Sequence, residues 1–339
     1  MSSVNTELEA PEKKNSLLKN IFRLVIPLGL GIAILWFLYR ETDFNKMWET
    51  IKDANYGILL FSLIFGLGGN IIRALRWELL IRPLGYNPRR INLIYAVLGN
   101  YAVNLALPRA GEIWRCGVIA KTEKIPFVKL IGTLIIDRAF DTLMVLLITL
   151  FACMFNVDVF VKYVRDNEAL SGLAEKIVHS PLTFIVIALG IICLFLIFTV
   201  FKNTSVVLKV KGFFIGIWND MKKVWKMKEK KKFLVYTVSI WVCYFLYFYV
   251  TLYAFDFTAH LGFTAGLVAF ALSSLSMGIP TNGGIGVWHA AVVLSLGLYG
   301  VTKSSAEAFA FAVFTVQNLW IIIYGTFAIA TISFRKENK

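Results

Sequence analysis

The sequence is poor in charged residues and in the side chains that bind metals. Of its 339 residues, 17% are charged, and only three are histidine and four are cysteine. Soluble domains carry about 25% charged residues. The cysteines form no CxxC pair, so we expect neither a disulfide framework nor a zinc site. Motifs for nucleotide binding, zinc proteolysis and a serine nucleophile are absent too. We therefore expect no enzyme activity, no cofactor and no metal.

Long apolar blocks take up most of the chain instead. Hydrophobic residues make up 58% of the sequence, and its mean hydropathy is +0.69. Blocks of about 20 residues cross a ~30 Å hydrocarbon core as helices. The net charge of +14 lies mainly in loops between the blocks, so we expect no nucleic-acid partner. The sequence predicts an all-α polytopic membrane protein with spans at 21–39, 57–80, 128–155, 182–201, 233–255 and 306–333.

Two further apolar segments are broken in the middle by proline and glycine. The breaks are Leu107–Glu112 within 91–120 and Ile279–Gly286 within 263–300. Irregular backbone persists at membrane depth only where protein or a water-filled cavity satisfies it. We predict that both segments are re-entrant helical hairpins, and a pair of short tilted spans is the alternative for each.

The loop charges predict the topology. The loops 40–55 and 156–181 each hold three basic and four acidic residues, whereas 202–232 holds ten lysines against two acids. The positive-inside rule places the first two outside and the third in the cytoplasm, together with both termini. This order works only if each broken segment enters and leaves on one side. We therefore predict six full spans and two opposed hairpins.

The same order of blocks occurs twice. Each half reads span, span, hairpin, span, and an odd number of crossings inverts the second half, as in alternating-access transporters. Within the second half, apolar residues recur at helical spacing over residues 206–228, with lysines on the opposite face. This pattern predicts either an amphipathic helix on the anionic leaflet or a basic loop. The predicted boundaries are a cytoplasmic tail 1–20, a transmembrane domain 21–333 with halves 21–155 and 182–333 and the basic segment 203–232, and a tail 334–339.

Polar side chains within the blocks are the candidate functional residues. Asp137, Arg138 and Asp141 fall near the predicted midplane, where each charge costs ~2.5–3.5 kcal/mol on insertion scales. Such a group marks a substrate path or a buried ion-pair clamp. Gln317 and Asn318 in the last block are more typical of hydrogen bonds between helices than of substrate contacts.

Further arginines suit a phosphate. Arg73 and Arg76 lie three residues apart near the end of the second block, where they predict a phosphate site or an interfacial arginine belt. Arg109, Glu112 and Arg115 flank the tip of the first hairpin. They predict an anion site there, or simple contact with cytosol if the hairpin is shallow.

The second hairpin tip has no acidic residue and no arginine. Its Asn282, Gly283 and Gly284 could form a tight turn whose N–H groups bind an anion. His289 follows, either as a group that titrates near neutral pH or as a core histidine.

Four motifs in this order resemble the flippase-like transmembrane domain of lysylphosphatidylglycerol synthases. They are the run Arg73–Trp77, the segment Asn104–Arg115, Asp137-Arg138-x-x-Asp141 and the segment Pro280–Val287. The resemblance covers about residues 20–333 and implies movement of a phospholipid or polyprenyl-phosphate lipid between leaflets. Two departures accompany it. The soluble aminoacyl-transferase domain of the fused members does not follow, so we expect a stand-alone member without lysyl transfer. Trp288 and His289 also stand where the family commonly has an acidic residue.

The sequence therefore predicts a lipid flippase or scramblase of the bacterial inner (cytoplasmic) membrane. Its partners would be membrane lipids, either an anionic phospholipid or a polyprenyl phosphate. The alternatives are a secondary transporter of a small soluble anion and a membrane scaffold for lipid synthesis. The sequence predicts no oligomeric state.

Overall fold

The computed structural model describes residues 43–166 and 227–337, together with positions 32, 34–37, 40, 224 and 225. Every regular element in these ranges is a helix. Short 3-10 helices occur at Arg82–Leu84, Val250–Ala254 and Asn282–Gly284. In chain order the α-helices are α1 Phe44–Lys52, α2 Tyr56–Ile81, α3 Arg90–Ala106, α4 Ala110–Thr122, α5 Phe127–Phe155, α6 Val157–Asp166, α7 Lys230–Tyr249, α8 Asp256–Ala259, α9 Phe263–Ser276, α10 Val287–Gly297 and α11 Lys303–Glu337.

The long helices begin and end at residues that suit helix termini. The Asn55 side chain caps α2 by accepting a hydrogen bond of 3.2 Å from the Ile58 N–H. Beyond α2, Gly85 takes a left-handed φ of 86°, which ends the helical path. Among the described residues, three stretches are long and apolar enough to cross a membrane: Tyr56–Leu84, Lys230–Ala254 and Lys303–Phe334.

Both broken segments form pairs of packed helices. The first hairpin is α3 with α4, and its tip contains Pro108 and the left-handed Arg109 (φ 59°). The second hairpin is α9 with α10, and its tip contains Pro280 and positive φ angles at Gly283 and Gly286. The predicted breaks are therefore turns between paired helices, which fit a re-entrant hairpin and a pair of short spans alike. The side from which each would enter a membrane stays a prediction.

The helices pair in a reciprocal pattern. The helix before each hairpin packs against its counterpart, so that α2 lies against α7. Each hairpin then packs against the long helix that follows the other hairpin, α3 on α11 and α9 on α5. Each hairpin therefore contacts a long helix from the other half of the chain.

Two predicted loops contain helices, and several predictions lie outside the described residues. Helix α1 lies in the predicted loop 40–55 because Met47 and Ile51 repeat at helical spacing and are buried against the core, where α1 packs on α11. Helix α6 similarly occupies the start of the loop 156–181. The span 182–201, the tail 1–20, and most of the span 21–39 and of the segment 203–232 lie outside the described residues.

Candidate functional site

A buried cluster of charged side chains joins α2, α4 and α5. Arg73 and Arg76 on α2 and Arg115 on α4 point towards two carboxylates on α5, those of Asp137 and Asp141. All five side chains are buried. The three arginines neutralise the two carboxylates, which would otherwise be unpaired charges in apolar surroundings.

Asp137 is the most heavily bonded member of this cluster. One carboxylate oxygen accepts from Arg76 Nη2 at 2.5 Å and Nε at 3.0 Å, and the other accepts from Arg115 Nη2 at 2.9 Å. Asp141 accepts from Arg76 Nη2 at 2.7 Å and also from Arg73 Nη1. Contacts of this kind, with two donors of one guanidinium on one carboxylate, are among the strongest hydrogen bonds in proteins.

Arg138 forms the accessible edge of the cluster. Its guanidinium lies 2.9 Å from Asp141 and 3.1 Å from Glu112 on α4, and its side chain is 38% exposed. With Arg138 and Glu112 included, four arginines face three carboxylates among the described residues, which leaves one positive charge. Arg115 Nε and Nη1 and Arg138 Nε are buried and have no hydrogen-bond partner among the described residues. The cluster therefore has spare donors and spare positive charge, which an anion would satisfy.

A chain of hydroxyl and amide groups leads from the cluster towards α7 and α11. Arg73 Nε donates to the Tyr244 hydroxyl at 3.1 Å, and that hydroxyl donates to Asn70 Oδ1 at 2.6 Å. The Asn70 amide in turn donates to the Tyr324 hydroxyl at 3.0 Å. Tyr101 lies on the other side, with its hydroxyl 2.8 Å from that of Tyr244. Tyr244 thus connects the charged cluster to uncharged polar side chains on α2, α3 and α11.

The two hairpin tips contact each other. Arg109 Nη2 donates to the Gly278 carbonyl at 2.8 Å, and Asn282 Nδ2 donates to the Ala106 carbonyl at 3.4 Å. A Cβ at Gly283 would lie 2.4 Å from Leu105 Cδ2, so the second tip fits closely against the end of α3. The tips therefore meet between the two hairpins.

A cavity of about 270 Å³ lies beside these tips. None of the described residues that line it is charged; they are aromatic rings, small polar side chains and a few apolar groups. Its walls come from α3, α7, α9, α11 and the second hairpin tip. The lining residues are Tyr101, Trp241, Tyr244, Tyr247, Phe248, Phe270, Ser273, Ser274, Met277, Gly283, Trp288, Phe314, Gln317, Asn318 and Ile321.

A separate apolar groove of about 510 Å³ runs between α2 and α11. Leu60, Ile64, Leu319 and Ile323 line it and are each more than half exposed. The groove residue Leu67 lies about one helical turn before Asn70, whose side chain bonds to Tyr244, the partner of Arg73. The groove is thus linked to the charged cluster through this hydrogen-bonded chain.

The structure brings together some predicted site residues and separates others. Arg138 pairs with Asp137 and Asp141 as the sequence indicated. The alternative of an interfacial belt is wrong for Arg73 and Arg76, because both are buried in ion pairs inside the bundle rather than at its surface.

The three charged residues of the first hairpin tip do not form one group. Arg115 and Glu112 join the charged cluster, whereas Arg109 is exposed and reaches the second tip. In the second hairpin, Gly284 has a φ of 85°, and His289 is buried with its ring 4.4 Å from that of Phe314. These positions favour a core location for the histidine.

Sequence reasoning missed the polar chain through Asn70, Tyr101 and Tyr244. One signal was available, since an asparagine inside an apolar span needs a hydrogen-bond partner. Nothing in the sequence identified the partner, because Asn70 and Tyr244 lie in different halves of the chain and meet only through the packing of α2 on α7.

Comparison with known proteins identifies the family. Residues 24–325 match the family described as the lysylphosphatidylglycerol synthase TM region. A curated relative, the UPF0104 membrane protein MJ1595 of Methanocaldococcus jannaschii, is 25% identical over 155 residues, which is 45% of each chain. The matched segment thus spans less than half of that relative. No solved structure matches the chain. Since the family match covers most of its length, this chain belongs to the lysylphosphatidylglycerol synthase TM region family of membrane proteins.

Proposed function

We propose that this protein is a lipid flippase or scramblase that moves an anionic phospholipid or a polyprenyl-phosphate lipid across the cytoplasmic membrane. The observation that carries the proposal is the buried charged cluster with its surplus positive charge. A lipid phosphate that crosses the hydrocarbon core needs opposite charge near the midplane. Arginine, with a planar set of donors, is the residue best suited to bind it.

The proposed architecture has six full spans and two hairpins that enter from opposite sides. The reciprocal packing of α3 on α11 and α9 on α5 supports this arrangement, as does the contact between the hairpin tips. By helical rise, about 12 Å separates Arg73 from the end of α2 and about 15 Å separates Asp137 from the start of α5. Both distances are close to half of a ~30 Å core, which puts the cluster near the midplane.

Within this arrangement the carboxylates would act as internal substitutes for a phosphate. Asp137 and Asp141 neutralise the arginines while no lipid is present. An arriving phosphate would first contact Arg138, the accessible member, and take the place of Asp141 or Glu112 on its guanidinium. This exchange replaces one set of charge-assisted hydrogen bonds by another, so no guanidinium is left buried without an anion.

The apolar groove favours a lipid over a small soluble anion. A soluble substrate needs a path sealed from the bilayer, whereas a lipid needs a surface along which its chains remain in the hydrocarbon. The groove between α2 and α11 is lined by leucine, isoleucine, valine and tryptophan, and its residue Leu67 lies about one helical turn before Asn70, which bonds to Tyr244 beside Arg73. It suits acyl or prenyl chains while the phosphate occupies the cluster.

Transport in liposomes tests the function. The purified protein should move a fluorescent anionic phospholipid or a short polyprenyl phosphate between leaflets without ATP. Arg138→Gln should slow this by at least about tenfold, the effect of losing one or two hydrogen bonds to a charged group. Arg90→Gln is the matched control, since Arg90 is an exposed arginine that pairs with Glu78 away from the cluster.

Two results would reject the proposal. Liposomes that accumulate a small anion but move no lipid would identify a soluble-anion transporter. Liposomes that move neither would favour a scaffold. Thermal unfolding of each variant in detergent separates lost function from lost structure.

Cysteine labelling tests the architecture separately. A cysteine at Asp53 should react with a membrane-impermeant reagent from outside, and one at Asn87 should react only after the membrane is opened. Both residues are exposed in the structure, so a lack of labelling reports the membrane rather than burial. Labelling of both positions from the same side would exclude the proposed topology.

A further inference from the structure

The cavity beside the hairpin tips has a composition that the phosphate site does not explain. We propose that it binds the headgroup of the transported lipid, and that this headgroup is neutral and carries hydroxyl groups, such as glycerol or a single sugar on a phosphodiester. This inference rests on the proposed function, because it assigns the headgroup of the lipid whose phosphate the arginines bind.

The position of the cavity links it to the charged cluster. Tyr244 belongs to both, since its side chain lines the cavity and its hydroxyl accepts from Arg73 Nε at 3.1 Å. Tyr101 also lines the cavity and contacts the same hydroxyl. A group attached to a phosphate near Arg73 would therefore enter the cavity after passing the two tyrosine hydroxyls.

The cavity has room for a small headgroup. Its volume of about 270 Å³ suffices for glycerol or one sugar ring. Ring faces on Trp241 and Trp288 provide flat apolar surfaces of the kind that pack against the C–H groups of a sugar.

The polar groups of the cavity keep both donors and acceptors for a ligand. Ser273 donates to the Phe270 carbonyl at 3.0 Å, the Asn318 amide to the Phe314 carbonyl at 2.7 Å, and the Gln317 amide to the Tyr247 carbonyl at 3.2 Å. Each of these two amides has a second N–H and an oxygen that can accept, and the buried Trp241 Nε1 has no hydrogen-bond partner among the described residues. Hydroxyl groups both donate and accept and so match this lining, whereas ammonium groups only donate.

The charges nearby decide between those two kinds of donor. No carboxylate lines the cavity among the described residues, so an ammonium would lack an anionic partner there. The guanidinium of Arg73 also lies 5.5 Å from the centre of the Tyr244 ring and would repel a cation. Aromatic rings attract cations, but the surplus positive charge of the nearby cluster would repel them. Neutral hydroxyl groups have no such conflict.

Binding of short-chain lipids in detergent tests the headgroup without requiring transport. Titration calorimetry should give a dissociation constant for dihexanoyl phosphatidylglycerol about tenfold lower than that for dihexanoyl phosphatidylmethanol, the difference made by two or three neutral hydrogen bonds. Both probes carry the same phosphodiester charge, and only the first has free hydroxyls. A hexose phosphodiester of a short polyprenol, run in parallel, distinguishes a sugar from glycerol as the source of the hydroxyls.

Variants assign the preference to the cavity. Ser274→Ala with Asn318→Leu should remove the tenfold preference, whereas Ser304→Ala with Thr331→Val, a pair that lies outside the cavity, should preserve it. Should the first pair fail to fold, Asn318→Asp provides a second readout. It adds an anionic partner and should shift binding towards dihexanoyl phosphatidylethanolamine.

The outcomes separate this inference from the proposed function. Equal affinities for phosphatidylglycerol and phosphatidylmethanol, or tightest binding of phosphatidylethanolamine by the unmodified protein, would overturn the headgroup assignment even if lipid transport is observed. A hydroxyl-dependent preference in detergent that depends on Asn318 supports the assignment even if no transport is detected in liposomes.

Discussion

The first hairpin places charged side chains against its neighbours, whereas the second places uncharged rings and hydroxyl groups against the same central helices. In the first, Arg115 and Glu112 on α4 join ion pairs with α5. In the second, Trp288 and its neighbours surround a cavity that no described charged residue lines. The two hairpins have the same helical shape and meet at their tips, so their difference lies in side chains.

Under the proposed function, this difference would let one backbone arrangement serve two tasks. A lipid phosphate needs cationic surroundings, whereas a hydroxylated headgroup needs neutral, polar ones. The two hairpins would offer one surface for each task, and Tyr244 lies where the surfaces adjoin. The following predictions test whether the charged region and the uncharged region differ in energetics as they do in composition.

The largest effect is expected for Arg76. Its guanidinium contacts both Asp137 and Asp141, and all of these groups are buried. Arg76→Met removes a positive partner from both buried carboxylates. The free energy of unfolding should therefore fall by about 3–5 kcal/mol. Thermal or denaturant unfolding in detergent measures the loss.

A double-mutant cycle checks that this loss comes from the ion pair. Asp137→Asn combined with Arg76→Met should be less destabilising than the sum of the two single changes. Arg90→Met serves as the control and should cost less than about 1 kcal/mol, because Arg90 is exposed. Additive effects of Arg76→Met and Asp137→Asn would contradict the view of the cluster as one coupled group.

A smaller effect is expected where the first hairpin closes. A Cβ at Gly111 would lie 2.1 Å from the Asn100 carbonyl oxygen, a backbone atom that cannot move aside alone. Gly111→Ala should therefore destabilise the protein by about 1–3 kcal/mol or more by forcing α3 and α4 apart.

Gly117 on the same helix is the matched control. Nothing lies within 4 Å of a Cβ at that position. Gly117→Ala should be neutral or stabilise by up to about 1 kcal/mol through helix propensity. If both alanine variants unfold at the same temperature in detergent, the close approach of α3 and α4 is not required.

The sequence was enough to predict the class of fold and the positions of both hairpins. Length and hydropathy predict helices, and Pro108 and Pro280 mark the breaks, since these effects are local. Two short helices, α1 and α6, were missed because charged residues among their apolar positions resemble loop composition.

The candidate site was predictable only in part. Asp137 and Asp141 were recognised because a charge inside an apolar block is a local signal. The partners of these carboxylates depend on how α2 and α4 pack against α5, and single-sequence patterns do not contain that information. The cavity was not predicted at all, since its polar residues are uncharged and come from several helices.

Tyr244→Phe tests the link between the two regions. The change removes a hydroxyl that accepts from Arg73 and donates to Asn70, and it leaves the ring in place. The unfolding free energy should fall by about 2 kcal/mol or more, because a neutral hydrogen bond and one from a charged group are both lost. Tyr249→Phe is the control, because that hydroxyl bonds only to exposed Tyr253 among the described contacts and should matter less. An equal loss in both variants would argue against a special role for Tyr244.

The smallest effect is expected at the contact between the tips, where two terms oppose each other. Arg109 donates to the Gly278 carbonyl at 2.8 Å, and it also has a left-handed φ of 59° that disfavours any residue with a Cβ. Arg109→Ala loses the hydrogen bond and keeps the backbone strain, so it should destabilise by about 1 kcal/mol. Arg109→Gly loses the same bond but relieves strain of about 1–2 kcal/mol, so its stability should equal or slightly exceed that of the unmodified protein. The comparison of the two variants by thermal unfolding in detergent thus isolates the backbone term from the contact between the hairpins. A glycine variant as unstable as the alanine variant would mean that the left-handed turn at Arg109 is not what limits the first tip.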